Sequence, residues 1–223
     1  MSPFFERALF YGQGATMNDE LKTELLVLNL LRQVFLIEPG KKLLEGIGEI
    51  CLTPEEELER TGLKKMRDSV QQKENRLDEW IEQLSLEFAR LFIGPAHPPA
   101  VPFASFYLSE THSLMTEETM EVRKKYLDAG LALKNLYQMP DDHISIELDF
   151  LYFLTERVLE LSDKGKSTEA EKFLKLRQDF LMEHFVLWAP TFANRILEST
   201  SEDYFKGAAS FLLETVKYYT QEN

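Results

Sequence analysis

The sequence predicts an all-α fold, a compact multi-helix bundle of roughly eight to ten helices. Apolar residues recur every three or four positions through most of the 223 residues, which is the spacing of helices with one buried face. Prolines, glycines and capping residues separate these runs at intervals typical of helix lengths. No stretch alternates apolar and polar residues as paired strands do. Hydrophobic residues make up 44% of the chain, enough for one domain or two small ones.

The first predicted helix has its apolar positions between Leu21 and Phe35. Asn18 is expected to cap it, because a side-chain oxygen can accept a hydrogen bond from an otherwise unpaired amide at a helix start. The helix ends at Pro39-Gly40, since proline cannot continue it. Residues 41–50 are predicted to form a second, short helix despite two glycines.

A third helix is predicted from the segment Thr53-Pro54-Glu55-Glu56. Thr53 and Glu56 have the spacing of a capping box, and proline is favoured at the first helical position. A fourth, long amphipathic helix follows Gly62 and ends at Gly94-Pro95. Its apolar residues are Met66, Val70, Leu77, Ile81, Leu84, Phe88 and Leu91.

The second half begins with a proline-rich loop at residues 94–107, where four prolines exclude a continuous helix. Helices are then expected over 116–130 and 144–161. Thr168 and Glu171 have capping-box spacing and open a further helix. The remaining signals are Pro190, which is expected to interrupt that helix, and Ser201, which starts the last one.

These signals predict one domain with three parts. Residues 1–17 are an N-terminal extension, residues 18–139 an N-terminal helical part that includes the loop, and residues 140–223 a C-terminal helical part.

Composition excludes several classes of partner. The chain has 25 Lys and Arg against 38 Asp and Glu, a net charge of −13, whereas nucleic acids and anionic membranes require a basic surface. Cys51 is the single cysteine, so an internal disulfide and a multi-thiolate metal site are excluded. No apolar run approaches the ~18–20 residues that span a bilayer, and no secretory signal is visible. A cytoplasmic protein is therefore expected.

The sequence contains neither of the glycine-rich phosphate motifs Gly-x-Gly-x-x-Gly and Gly-x-x-x-x-Gly-Lys, and no Gly-x-Ser-x-Gly turn. No cofactor is predicted. His143 and Glu147 lie four residues apart, a spacing that places both on one helix face within reach of one metal ion. A third ligand would have to come from elsewhere in the fold, so a carboxylate-metal hydrolase remains an open alternative.

Two segments have the properties of a ligand site. Phe88, Leu91 and Phe92 end a helix where the proline-stiffened, aromatic loop begins, which predicts a rigid apolar wall. Asp142, His143 and Glu147 form a polar cluster at the start of another helix, where Asp141 or Asp142 is expected to act as the N-cap.

Three motifs together resemble the TorD/DmsD family of cytoplasmic chaperones for molybdenum-containing oxidoreductases. They are Phe92-x-Gly94-Pro95 with Ser105-x-Tyr107, then Pro140-x-Asp142-His143-x-x-x-Glu147, and then His184-x-x-x-Trp188-x-x-x-Phe192. The likeness extends from about Leu21 to the C-terminus. Three positions differ from the family pattern: Met139 stands where a glutamate is usual, Ala96 where some members have an aromatic residue, and Phe88 where others have tryptophan.

The resemblance implies that the chain binds the twin-arginine leader of an immature molybdoenzyme catalytic subunit and holds that subunit for cofactor insertion before export. Phe88, Leu91 and Phe92 would then form the apolar wall, and Gly94-Pro95 the turn that exposes it. Ser105 and Tyr107 would supply hydrogen bonds. Asp142, Glu147 and His143 would either face the arginines or hold the loop.

Two alternative partners remain open at this point. One is a non-exported subunit of the nitrate-reductase type, recognised through an N-terminal segment that lacks the export motif. The other is any amphipathic helix, bound by a general helical adaptor. A monomer and a dimer formed by exchange of segments are both expected oligomeric states.

Overall fold

The computed structural model describes residues 17–95, 97–131 and 139–221. Within these residues there are eleven α-helices, nine of which have eight residues or more. They are α1 (Met17–Leu36), α2 (Lys41–Gly48), α3 (Pro54–Glu59), α4 (Thr61–Lys73), α5 (Leu77–Phe88), α6 (Ala104–Leu108), α7 (Glu117–Asp128), α8 (Ile144–Asp163), α9 (Ser167–Phe180), α10 (Val186–Ser199) and α11 (Asp203–Gln221). The prediction of an all-α fold is confirmed.

The described residues contain no β-strand, only one isolated antiparallel bridge between Phe103 and His143. None of their helices combines the length and the apolar character needed to cross a membrane.

Backbone contacts divide the chain into two compact units. Residues 33–101 and 190–221 form the first unit, and residues 17–32 and 102–189 form the second. The chain passes between units inside α1, inside α10 and within the proline-rich loop. The predicted three-part division at residues 17 and 139 stays a prediction, and most of its N-terminal extension lies outside the described residues.

The helix boundaries confirm some sequence signals and correct others. The capping box at Thr53 is present: its side chain accepts from the Glu56 amide, and the Glu56 carboxylate accepts from the Thr53 amide at 2.7 Å. The prediction of a second box at Thr168 is wrong, because α9 begins one residue earlier at Ser167, without a side-chain cap. Asn18 lies inside α1.

Pro190 does not interrupt its helix but lies inside α10. One wider π-helical turn, Leu181–Phe185, connects α9 directly to α10 just before the proline. Such a turn shifts the hydrogen-bond register by one residue. A second π turn, Ala89–Ile93, extends α5.

Helices α4 and α11 of the first unit approach until their backbones touch. Gly62 lies inside α4 rather than before it, and a Cβ built on it would be 2.2 Å from the amide nitrogen of Phe211. On the facing helix, a Cβ on Gly207 would be 2.6 Å from the amide nitrogen of Met66. The two glycines therefore permit a crossing that any side chain would prevent.

The second unit packs the N-terminal part of α1 against α8 and α9. Leu21, Val158 and Leu159 are buried together there, with partly buried residues of α9 around them. A buried ion pair between Glu24 and Arg177 joins α1 to α9, with their side chains 2.5 Å apart. This packing holds α8, which carries the polar residues singled out in the sequence.

Candidate functional site

In the first unit, Phe88, Leu91 and Phe92 are buried in an aromatic core rather than exposed as a wall. The ring of Phe92 contacts those of Phe35 and Phe192, with centroids 6.1 and 5.9 Å apart. Phe88 lies 4.9 Å from Phe92 on the neighbouring side. These side chains therefore belong to the core of the first unit, directly before the proline-rich loop begins.

Gly94 turns the chain directly after these residues. Its φ of +54° lies in the left-handed region, and a Cβ there would be 3.1 Å from the nitrogen of Pro98. The Gly94 amide donates to the carbonyl of Ala89 at 2.7 Å, and the Ala100 amide donates to the carbonyl of Leu91 at 3.1 Å. The loop thus folds back on the π turn, and Pro95 is exposed at its tip.

Two exposed apolar residues beside this turn were missed by the sequence reasoning. Leu86 and Ile93 both expose most of their side chains. Neither residue belongs to the regularly spaced apolar positions that include Phe88 and Leu91. The helical period predicts contacts for those positions only. Regular spacing gives no signal for this pair, because the π turn Ala89–Ile93 changes the helical period between them.

In the second unit, Asp142 joins the end of the proline-rich loop to the start of α8. Its Oδ2 accepts from the Ser105 amide at 2.7 Å, and its carbonyl oxygen accepts from the Ala104 amide at 2.9 Å. The Ile144 amide donates to the carbonyl of Pro102, also at 2.9 Å. Asp142 therefore caps α6, not its own helix, because it pairs the first two amides of α6 across the fold.

His143 is the N-cap of α8, in place of the predicted Asp141 or Asp142. Its Nδ1 accepts from the Ser145 amide at 3.2 Å and lies 2.8 Å from the Ser145 hydroxyl. Burial lowers the pKa of His143 to about 4. The ring is therefore neutral near pH 7, as its role as an acceptor requires.

The His143 pKa predicts how stability changes with pH. The folded pKa of about 4 lies below the ordinary value, so between pH 6.5 and 4 the unfolded chain binds a proton that the folded chain does not. Stability is expected to fall as pH falls through that window, by up to about 3 kcal/mol. We expect His143→Asn, which keeps an acceptor at the cap, to lose less. Urea unfolding of the wild type and of His143→Asn at several pH values measures the free energy of unfolding. If the difference between the two proteins did not change with pH, His143 would not be the source of the pH dependence.

Glu147 lies one turn into α8, fully buried, and accepts two hydrogen bonds from the helix that carries the third motif. His184 Nε2 donates to Oε1 at 2.7 Å, and Trp188 Nε1 donates to Oε2 at 3.0 Å. The Trp188 ring stacks on Tyr107, with centroids 5.6 Å apart. Glu147 on α8 is therefore bonded to the π turn Leu181–Phe185 through His184 and to α10 through Trp188. Trp188 in turn contacts α6 through Tyr107.

The surroundings of Glu147 shift two pKa values. Burial raises the pKa of its carboxyl, although the bonds from His184 and Trp188 act in the opposite direction. Burial lowers the pKa of His184, but the adjacent Glu147 carboxylate outweighs this and leaves it raised. Both directions favour retention of a proton within the pair.

Asp141 ties α7 to the same segment. Its carboxylate forms an ion pair with Arg123, and its carbonyl oxygen accepts from the Tyr126 hydroxyl at 2.9 Å. Burial raises the pKa of Tyr126 well above its ordinary value, and the nearby carboxylates of Glu147, Asp141 and Asp142 add to the shift. Tyr126 is thus a neutral donor that fixes the inner face of α7.

The predicted site residues fall into two groups, each joined within its own unit. Phe88, Leu91, Phe92, Gly94 and Pro95 belong to the first unit, and Ser105, Tyr107, Asp142, His143 and Glu147 belong to the second. His184 and Trp188 were recognised in a motif but not chosen as site residues. Their four-residue spacing was a sufficient signal that both face the same neighbour.

The described residues contain no group of three or more His, Cys, Asp or Glu side chains placed to hold a metal ion. His143 and Glu147 do not share a ligand, because one caps the helix and the other bonds to α10. The arrangement is a set of fixed hydrogen bonds between helices, which can hold a surface in place.

A family model matches more than half of the chain. The sequence model of the family described as nitrate reductase delta subunit matches residues 55–194 of this chain. This range contains both groups of predicted site residues, together with His184 and Trp188.

Individual proteins match over a larger share of the chain. The chain is 27% identical to the chaperone protein TorD of Vibrio parahaemolyticus over 177 residues, 79% of this chain and 78% of that protein. It is 26% identical to the chaperone protein TorD of Vibrio atlanticus over 181 residues, 81% and 80% of the two chains. A solved structure described as a redox enzyme maturation protein of Archaeoglobus fulgidus superposes with a TM-score of 0.49 and 23% identity, over 93% of this chain and 97% of that one.

Proposed function

Because the chain belongs to the nitrate reductase delta subunit family, we propose that it binds the twin-arginine leader of a molybdenum-containing oxidoreductase subunit in the cytoplasm. It holds that subunit until the cofactor of the oxidoreductase has been inserted. The observation that carries this proposal is the family match, since it spans every predicted site residue. The predicted resemblance to TorD/DmsD chaperones is confirmed, and so is the prediction of a chaperone rather than an enzyme.

Charge supports a leader of this kind as the ligand. The chain carries a net charge of −13, and a twin-arginine leader has a basic front followed by an apolar segment. Opposite charges accelerate association and disfavour acidic competitors. Burial of about 300 Å² of apolar peptide would contribute about 7–8 kcal/mol before ordering costs. After those costs, micromolar binding is expected, weak enough for later release.

The buried motif residues act in this proposal as positioning residues. Asp142, His143 and Glu147 are too buried to face arginines directly, and each already bonds to a neighbouring element. The expectation that they hold the loop is therefore the one we retain. Asp142 fixes the start of α6, and Glu147 fixes Trp188 beneath Tyr107. Near the other end of the loop, the Leu91 carbonyl accepts a hydrogen bond from the Ala100 amide.

A calorimetric titration of the full chain with a twin-arginine leader peptide tests the function. A second peptide of the same composition, with its two arginines moved apart, separates this chaperone from a general helical adaptor. We expect only the paired peptide to bind at micromolar concentration. Equal binding of both peptides would support the adaptor, and no binding of either would refute the proposal.

The family name favours one further candidate client, a nitrate-reductase-type subunit that is not exported. Such a subunit would be recognised through an N-terminal segment without paired arginines. A third peptide, taken from the N-terminus of a non-exported subunit of this type, identifies that case if it alone binds.

A further inference from the structure

One edge of α7 and the turn before it expose large apolar side chains. Leu114 is 45% exposed, Met115 63%, Met120 55% and Leu127 58%. We refer to these four residues as the α7 edge. Met120 and Leu127 are seven residues apart, two helical turns, so they project from the same side of α7. Four exposed apolar side chains within fourteen residues form a cluster, whereas exposed apolar residues on most protein surfaces are scattered singly.

Local structure holds this edge outward. Thr119, Val122 and Tyr126 form the buried side of α7, and Tyr126 is anchored to the carbonyl of Asp141. Met115 directly precedes Thr116, the N-cap of α7, and Met120 is the fourth residue of the helix. Apolar residues at these two positions often pack against each other at a helix start. The φ of Met115 is +58°, a left-handed conformation that a side chain rarely adopts. In this turn the side chain of Met115 is exposed.

Four acidic residues lie on α7 or in the segment before it. Glu110, Glu117, Glu121 and Asp128 are exposed, and none forms an ion pair with any residue that the structure describes. The cations of α7 are largely committed: Arg123 pairs with Asp141, and Lys125 pairs with Glu183. Lys124 is the remaining cation of the helix. The edge therefore combines an apolar strip with an excess of uncompensated negative charge.

We propose that the α7 edge binds the basic and apolar segment of the client's leader. This inference rests on the function proposed above and assigns it a surface. A second copy of this acidic chain would bring negative charge to negative charge, and nucleic acids or anionic membranes would do the same. A cationic, apolar peptide is complementary on both counts. Methionine side chains suit leaders of variable sequence, because they are flexible and polarizable.

The proposal also gives the buried motif a purpose. Asp141 contacts the inner side of α7 through Arg123 and Tyr126, while Asp142 caps α6. The polar segment at the start of α8 thus sets the position of the helix whose outer side carries the binding surface. The residues that the sequence singled out would then act from behind this surface.

The test is a calorimetric titration of a twin-arginine leader peptide into variants of the full chain. Met120→Gln combined with Leu127→Gln removes the apolar strip while keeping helix propensity. Leu187→Gln is the matched control, because Leu187 is also 58% exposed but lies on α10. We expect the double variant to bind at least about tenfold more weakly and the control to bind as the wild type does. Circular dichroism spectra confirm that the variants are folded.

A charge variant tests the second half of the surface. Glu117→Gln combined with Glu121→Gln is expected to weaken binding and to reduce its dependence on salt, since screened charge pairs would be lost. If the wild type binds the peptide and both double variants bind it equally well, the α7 edge is not the binding surface. The proposed function would be unaffected by that result. A wild type that does not bind the peptide would refute both.

Discussion

Gly62→Ala is expected to lower the free energy of unfolding by at least about 3 kcal/mol. The new Cβ would be 2.2 Å from the Phe211 amide nitrogen and 2.7 Å from the carbonyl oxygen of Gly207. Both contacts are with backbone, which cannot rotate away as a side chain can. Helices α4 and α11 would have to separate, and the bond from the Gly62 amide to Glu214, now 2.9 Å, would lengthen with them. Urea unfolding measures the loss.

Gly46→Ala is the matched control for this prediction. Gly46 is also inside a helix, α2, but a Cβ on it would meet nothing within 4 Å. Alanine there is expected to stabilise the chain by roughly 0.5–1 kcal/mol, because it restricts the unfolded state and favours the helix. If both variants changed stability by the same amount and in the same direction, close helix contact would not be the reason for Gly62.

Glu147→Ala is expected to cost about 3–5 kcal/mol, the range for removing one partner of a buried ion pair. His184 and Trp188 would each lose an acceptor and remain buried. The pKa of His184 is also expected to fall below its ordinary value, because burial would remain while the Glu147 carboxylate would be gone. Denaturant unfolding measures the first effect, and an NMR titration of His184 measures the second.

Glu156→Ala controls for the loss of a carboxylate from the same helix. Glu156 is exposed on α8, so its replacement is expected to change stability by less than about 0.5 kcal/mol. A His184 pKa that stays raised in the Glu147 variant would show that another group, not Glu147, sets it.

Local signals predicted much of the fold and failed where a distant contact decides the outcome. The capping box at Thr53 needs only residues three apart, and it is present. A helix was expected to follow Gly62, yet Gly62 lies within α4, where the close approach of Gly207 on another helix requires a small residue. Pro190 was taken for a break, but it lies inside α10, which follows a π turn. Neither a partner helix nor a register shift can be derived from local spacing.

The sequence predicted which residues matter for the candidate site better than it predicted what each of them contacts. Asp142 was recognised as a helix cap, but it caps α6 from another segment, which only tertiary structure reveals. Phe88 and Phe92 were recognised as apolar neighbours of the loop, but the helical period does not tell whether such a face meets solvent or other aromatic rings. The α7 edge was not predicted, since its methionines and leucines look like ordinary core residues in the sequence.

Recognition of paired arginines is the central claim, and one ratio tests it most directly. It is the ratio of two calorimetric dissociation constants on the wild-type chain, for a leader peptide and for the same peptide with both arginines replaced by glutamine. We expect the unmodified leader to bind at least about tenfold more tightly. Equal dissociation constants would contradict the claim.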